Sequence, residues 1–278
     1  MMNNLSVQLK EQKTAGKKVL IPFLTAGDPD LAVTEQLMAA LAKNGADVIE
    51  LGIPYSDPLA DGPVLQLAAG RALAAGTNTD GVFAAVARFR KCYDTPVVLL
   101  VYYNIIYNRG VERFCSEAAK AGVNGLVVPD LPFEEAQELD IAAKNANIIN
   151  IRFLSPTTSP QRLERICKAA EGFIYCVTVT GVTGERAAMD PAVFDMLSTA
   201  GMYTDVTLAL GFGISTPAQA AKAAEFADAV IVGSALVRRI ADTQGTEEKL
   251  TVAAAFIRSL KDALEGGNGH AEHKTACC

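Results

Sequence analysis

Lys43-Asn44-Gly45-Ala46-Asp47-Val48-Ile49-Glu50-Leu51 closes a helix and opens a strand within a few residues. A basic last turn leads to a glycine suited to a left-handed helix cap, then an aspartate, then a β-branched apolar run. The same succession returns at Lys120-Ala121-Gly122-Val123-Asn124 and, without the glycine, at Glu225-Phe226-Ala227-Asp228. Working outward from these points gives eight strand candidates: Val19–Leu24, Val48–Leu51, Val97–Val101, Gly125–Val128, Ile148–Phe153, Phe173–Val177, Val206–Leu210 and Ala229–Val232. They are near-continuous apolar runs, the pattern of parallel strands covered on both faces.

Helical spacing fills the intervals. Asp28-Pro29, Ser159-Pro160 and Ser215-Thr216-Pro217 offer polar N-caps followed by proline at the first helical position. Eight such units predict an α/β fold, a single closed (β/α)8 TIM barrel, in preference to an open doubly wound sheet. An extra N-terminal helix over Leu5–Gln12 would lie under or beside the barrel, and a short helix, Ala235–Asp242, follows the eighth strand. Residues 1–264 read as one catalytic domain. Residues 265–278 are polar, small and aperiodic, and read as a disordered tail.

The 278 residues are 50% hydrophobic with a formal net charge of -6, which supplies a large core and disfavours a nucleic-acid surface. The N-terminus lacks a signal peptide and no run is long enough to span a membrane, so a cytoplasmic protein is expected. The six cysteines, Cys92, Cys115, Cys167, Cys176, Cys277 and Cys278, lack C-x-x-C spacing and read as buried reduced thiols. Both histidines, His270 and His273, fall in the tail, which removes Ser-His, Cys-His and multi-His metal chemistry from the barrel. No metal site is expected. Acid/base work then rests on carboxylates, Tyr or Lys.

Active sites of such barrels lie in the loops after the strands. Glu50 interrupts an apolar run, where a carboxylate is costly unless paired or neutral. It is either an acid/base with a raised pKa at the barrel mouth or a structural salt-bridge partner. Asp61 follows in the proline-rich loop Ile53-Pro54-Tyr55-Ser56-Asp57-Pro58-Leu59-Ala60-Asp61-Gly62-Pro63, where turn chemistry is the plainer explanation. Three late loops are glycine-rich: Thr180-Gly181-Val182-Thr183-Gly184, Gly211-Phe212-Gly213-Ile214-Ser215 and Gly233-Ser234-Ala235. Glycines there let backbone N–H groups approach an anion, which points to a phosphate site. Together these features suggest proton-transfer or carbon–carbon bond chemistry on a phosphorylated small molecule.

The segment Leu51–Pro63 closely resembles the most specific motif of the tryptophan synthase α-subunit family. Pro22–Pro29, Tyr102-Tyr103-Asn104, Pro129–Pro132, Thr180–Gly184 and Gly211–Ser215 match in the family's order. The resemblance implies a retro-aldol lyase that cleaves indole-3-glycerol phosphate to indole and glyceraldehyde 3-phosphate in tryptophan biosynthesis. It implies Glu50 as general acid/base, Asp61 as the group that stabilises positive charge at the indole nitrogen, and Tyr175 as a supporting residue. Phe23, Leu100, Tyr102 and Phe212 would wall the indole, although ordinary barrel packing accounts equally well for Leu100. Gly184, Gly213, Gly233 and Ser234 would hold the phosphate, with Thr183 also on the substrate. The family's partner is a pyridoxal-phosphate-dependent β subunit, in an α2β2 assembly, and no cofactor is expected in this chain. Pro54, Asp57, Asn104 and Asn108 would fall on the partner face, and Gly181–Asp190 has the glycines of a mobile lid. Tyr55, Tyr103 and Arg152 depart from the family's pattern. A stand-alone lyase releasing free indole and a catalytically silent binding module are the competing readings.

Overall fold

The computed structural model describes residues 3–178, 191–211 and 213–266. Its strands are β1 (Val19–Thr25), β2 (Ile49–Gly52), β3 (Val97–Leu100), β4 (Gly125–Val127), β5 (Ile149–Asn150), β6 (Arg152–Leu154), β7 (Phe173–Val177), β8 (Thr207–Gly211) and β9 (Ala229–Val232). All pair in parallel, in the order β5-β4-β3-β2-β1-β9-β8-β7-β6. The run expected as one strand over Ile148–Phe153 is thus divided. Its first half pairs with β4, and the Ile151 N–H still donates to the Leu126 carbonyl at 2.8 Å. Its second half pairs with β7 from Arg152 onward. Only Ile151 separates the two ends of the row, so the row closes on itself as a TIM barrel.

The aspartate or asparagine before a strand has a definite task. The Asp47 carboxylate accepts from the Leu20 N–H at 2.7 Å, and the Asp47 N–H donates to the Leu20 carbonyl at 3.0 Å. Asn124 makes the same two bonds to Val97, at 3.0 and 2.8 Å, and Asp228 makes them to Leu208, both at 3.0 Å. Each therefore locks the entry of its strand to the neighbouring one. Asp47 also pairs with Lys261 at 2.8 Å, tying the barrel floor to the last helix, Thr246–Gly266.

Alternation along the strands sorts side chains into two cores. Val19, Ile21, Val48, Val98 and Phe173 fill the barrel interior, whereas Leu20, Leu51, Leu99, Ile174 and Val230 pack under the surrounding helices. The N-terminal helix, Asn4–Thr14, closes the interior from below: Leu5 and Leu9 are fully buried and belong to the interior cluster. The expected helix at Asp28-Pro29 begins later. Asp30 caps Leu31–Lys43, accepting from the Val33 N–H at 2.8 Å, and the Asp28–Pro29 peptide is cis. Asp28 instead forms a bidentate pair with Arg71 at 2.7 and 2.8 Å. Of the described cysteines, Cys115, Cys167 and Cys176 are buried free thiols as expected, but Cys92 is exposed.

Candidate active site

Glu50 lies on β2 between Val48 and Gly52, facing the barrel interior, with Phe23 and Val98 as its neighbours in register on β1 and β3. It is 1% exposed, and among the described residues neither carboxylate oxygen has a hydrogen-bond partner. Among the described residues no cation forms a salt bridge with it. A buried carboxylate without a cation or donor keeps its proton. Burial pushes the Glu50 carboxyl up to about 8, with the charge of Asp61 adding to the rise.

Asp61 reaches the same mouth from the loop that leaves β2. The loop is built of tight turns: the Leu59 N–H donates to the Asp57 carbonyl at 2.9 Å and the Asp61 N–H to the Pro58 carbonyl at 3.0 Å. Gly62 and Pro63 then start the helix Pro63–Ala74. Burial raises the Asp61 carboxyl to about 6, and the nearby Tyr102 hydroxyl opposes the rise. The same hydroxyl accepts from the Ala60 N–H at 3.0 Å.

The apolar walls are set by glycines. A Cβ on Gly52 would lie 2.6 Å from the Phe23 ring, and one on Gly211 would lie 2.9 Å from the Tyr175 ring. Each glycine lets an aromatic ring lie against the strand wall. Phe23 is buried, and half-buried Leu100 packs against it. Tyr175 stacks on Phe153 with ring centroids 5.2 Å apart. Burial, then the charges of Glu50 and Asp61, raise the Tyr175 hydroxyl well above its ordinary value, so it stays neutral. Thr25, two residues beyond Phe23 on the same face, carries a buried hydroxyl without a partner among the described residues, and alternation along β1 was the signal that could have found it.

Gly233 and Ser234 open the helix Ser234–Asp242, whose first turn has no side-chain cap. Such an end leaves N–H groups free for an anion. Gly213, at φ +53°, turns the neighbouring loop, which a clamp holds: Gln219 accepts from the Ser215 N–H at 2.9 Å and hydroxyl at 3.0 Å. Thr183, Gly184 and Phe212, and the lid expected over Gly181–Asp190, lie outside the described residues. A separate cavity of about 760 Å³ opens at the opposite end of the barrel, beside Asn3, Lys10 and Asn147.

The family described as tryptophan synthase alpha chain matches residues 9–265. The chain belongs to the tryptophan synthase alpha chain family. It is 47% identical over 264 residues to the tryptophan synthase alpha chain of Picosynechococcus sp., covering 95% of this chain and all of that protein. It is 50% identical over 254 residues to that of Synechococcus elongatus, covering 91% and 94%. The crystal structure of tryptophan synthase subunit alpha from Legionella pneumophila superposes with a TM-score of 0.88 at 39% identity, covering 96% of this chain and all of that one. A chain of Mycobacterium tuberculosis tryptophan synthase superposes at 0.86 with 32% identity, covering 95% and 99%. Membership bears out the lyase reading: the chain is an enzyme of tryptophan biosynthesis that cleaves indole-3-glycerol phosphate.

For a tryptophan synthase alpha chain, three of the four residues expected on the partner face, Asp57, Asn104 and Asn108, are exposed, whereas Pro54 is buried. Asn104 donates to the Tyr55 hydroxyl at 3.1 Å, and Asn108 donates to the Asn104 side-chain oxygen at 3.2 Å. Asp57 accepts from the Ser56 hydroxyl at 2.6 Å. Leu59, at the loop apex, is 93% exposed. Two departures from the family's pattern are absorbed locally. Arg152 pairs with Asp140 at 2.7 Å and lies over Phe133, on the helix side of the wall and away from Glu50. Tyr103 sets its ring beside that of Tyr107, with centroids 6.2 Å apart. Among the described residues no group of His, Cys, Asp and Glu could hold a metal ion, and no helix is long and apolar enough to cross a membrane.

Proposed function

We propose that Glu50 and Asp61 divide the cleavage of indole-3-glycerol phosphate between a neutral and a charged carboxyl. The observation that carries this reading is the buried Glu50 carboxyl, without a hydrogen-bond partner among the described residues, beside an Asp61 that ionises at lower pH. Protonated Glu50 delivers its proton to indole C3, which turns the ring into an electron sink. The electron pair of the C3–glycerol bond flows onto the ring. The Glu50 carboxylate then takes the proton of the glycerol hydroxyl as that carbon becomes the aldehyde, so the proton count closes. Asp61 accepts from the indole N–H and stabilises the positive charge that develops there.

Phe23, Leu100, Tyr102 and Phe212 wall the indole, and Tyr175 backs the reacting carbon as a neutral phenol. The uncapped helix end at Gly233 and Ser234, with Gly213, Gly184 and Thr183, holds the phosphate. The partner is a tryptophan synthase β subunit carrying pyridoxal phosphate, in an α2β2 assembly, docked over Pro54, Asp57, Asn104 and Asn108. This surface is supported by the exposed Leu59 between polar groups. Buried free thiols suit a cytoplasmic setting.

Indole release from indole-3-glycerol phosphate, measured for the purified chain alone and with a cognate β subunit, tests the reading. Turnover that rises sharply with the partner is expected. Equal turnover with and without it would instead make the chain a stand-alone lyase, and no turnover from the assembled complex would make it a silent barrel.

A further inference from the structure

We propose that Tyr102 is a positioning residue for Asp61, and that its hydroxyl, more than its ring, is what the reaction needs from it. The inference rests on the role given to Asp61 above. Tyr102 stands between the end of β3 and the helix Tyr103–Arg109, and is 2% exposed. Its hydroxyl accepts from the Ala60 N–H at 3.0 Å, which leaves its own proton free for the neighbouring Asp61 carboxylate, whose charged form it favours. A single phenol thus holds the backbone just before Asp61 and stands beside its carboxylate.

The phenol is held from behind. Its ring stacks on Tyr55 with centroids 5.0 Å apart and planes 26° from parallel. The Tyr55 hydroxyl in turn accepts from Asn104, and Asn104 from Asn108. The rest of the loop is held by its own turns and by Gln66, which donates to the Asp61 carbonyl at 2.8 Å; in these bonds nothing but Tyr102 comes from another strand's end. A donor aimed at a carboxylate favours its charged form and fixes its direction, whereas an apolar wall does neither.

Tyr102→Phe keeps the wall and removes the hydroxyl. The expected result is a fall in kcat for indole release of about tenfold or more, with KM changed less than about threefold. The acid limb of the pH profile should move to higher pH, because the charged form of Asp61 loses a donor. That limb is read on whatever fraction is folded, so it remains decisive if the variant is less stable. An unchanged kcat and an unmoved acid limb would overturn the proposal and leave Tyr102 as a wall. Asp61→Asn is measured in parallel, alone and combined with Tyr102→Phe. Wild-type turnover by Asp61→Asn would sink the role of Asp61 and this inference with it. If Asp61→Asn is inactive while Tyr102→Phe behaves as wild type, only the positioning role falls. In the Asp61→Asn background, Tyr102→Phe should cost no further activity, and a full tenfold cost there would also count against it.

Discussion

Asp61 ionises at about 6 while Glu50 keeps its proton up to about 8, so between these values the barrel mouth holds one charged and one neutral carboxyl. The two share a low-dielectric setting, and the charge on Asp61 is part of what holds the proton on Glu50. Pairs of carboxyls pushed apart in this way take different roles in one reaction.

The pH dependence follows directly. The reactive form has Asp61 ionised and Glu50 protonated, so kcat/KM for indole release should describe a bell with an acid limb near 6 and a basic limb near 8. The basic limb should be absent from the residual activity of Glu50→Gln. A profile flat between pH 5.5 and 8.5 would contradict the assignment.

Glu50 should also lower stability. Its folded pKa of about 8 is above the ordinary 4.5, so the native state binds the extra proton. Stability is then lost as pH rises from 4.5 through 8. Glu50→Gln removes the penalty and should raise Tm, and the difference in unfolding free energy from wild type should widen from pH 5 to pH 8.5 to roughly a few kcal/mol. Thermal melts across that range measure it, and a constant gap would speak against a neutral buried Glu50.

Phe23 depends on the bare backbone of Gly52. Gly52→Ala places a Cβ 2.6 Å from the Phe23 ring tip, and a buried ring has little room to retreat. We expect a loss of about 1–3 kcal/mol in stability and a drop in kcat/KM, both partly restored by adding Phe23→Leu. Urea titration and indole release read the two effects, and additive behaviour of the pair would remove the steric explanation.

At the helix end, Ser234→Asp puts a negative side chain where the phosphate is expected to sit. KM for indole-3-glycerol phosphate and the inhibition constant of glycerol phosphate should both rise about tenfold or more, with kcat much less affected. Unchanged affinity for glycerol phosphate would move the phosphate site elsewhere.

The barrel was legible because its repeat is written locally. Asp47, Asn124 and Asp228 stand before strands as one recurring element, and each proves to bond the neighbouring strand's first turn of backbone. Glu50 was legible because a carboxylate in an apolar run needs a reason. The break at Ile151 was not, since both halves of that strand are equally apolar and only their different neighbours divide them. Asp28 read as a helix cap because Asp-Pro is good capping chemistry, and Arg71, 43 positions away, was invisible as its true partner. Tyr102 read as a wall for the same reason: the Ala60 N–H that meets its hydroxyl is 42 positions distant.

The most direct test of the account is indole release by Glu50→Gln in the assembled complex, from protein shown to be folded and to bind glycerol phosphate as the wild type does. Glutamine fills the same space and cannot move a proton, so turnover should fall by about 10²–10⁴ with little change in KM. Wild-type turnover by Glu50→Gln would show that the proton reaching indole C3 comes from another group.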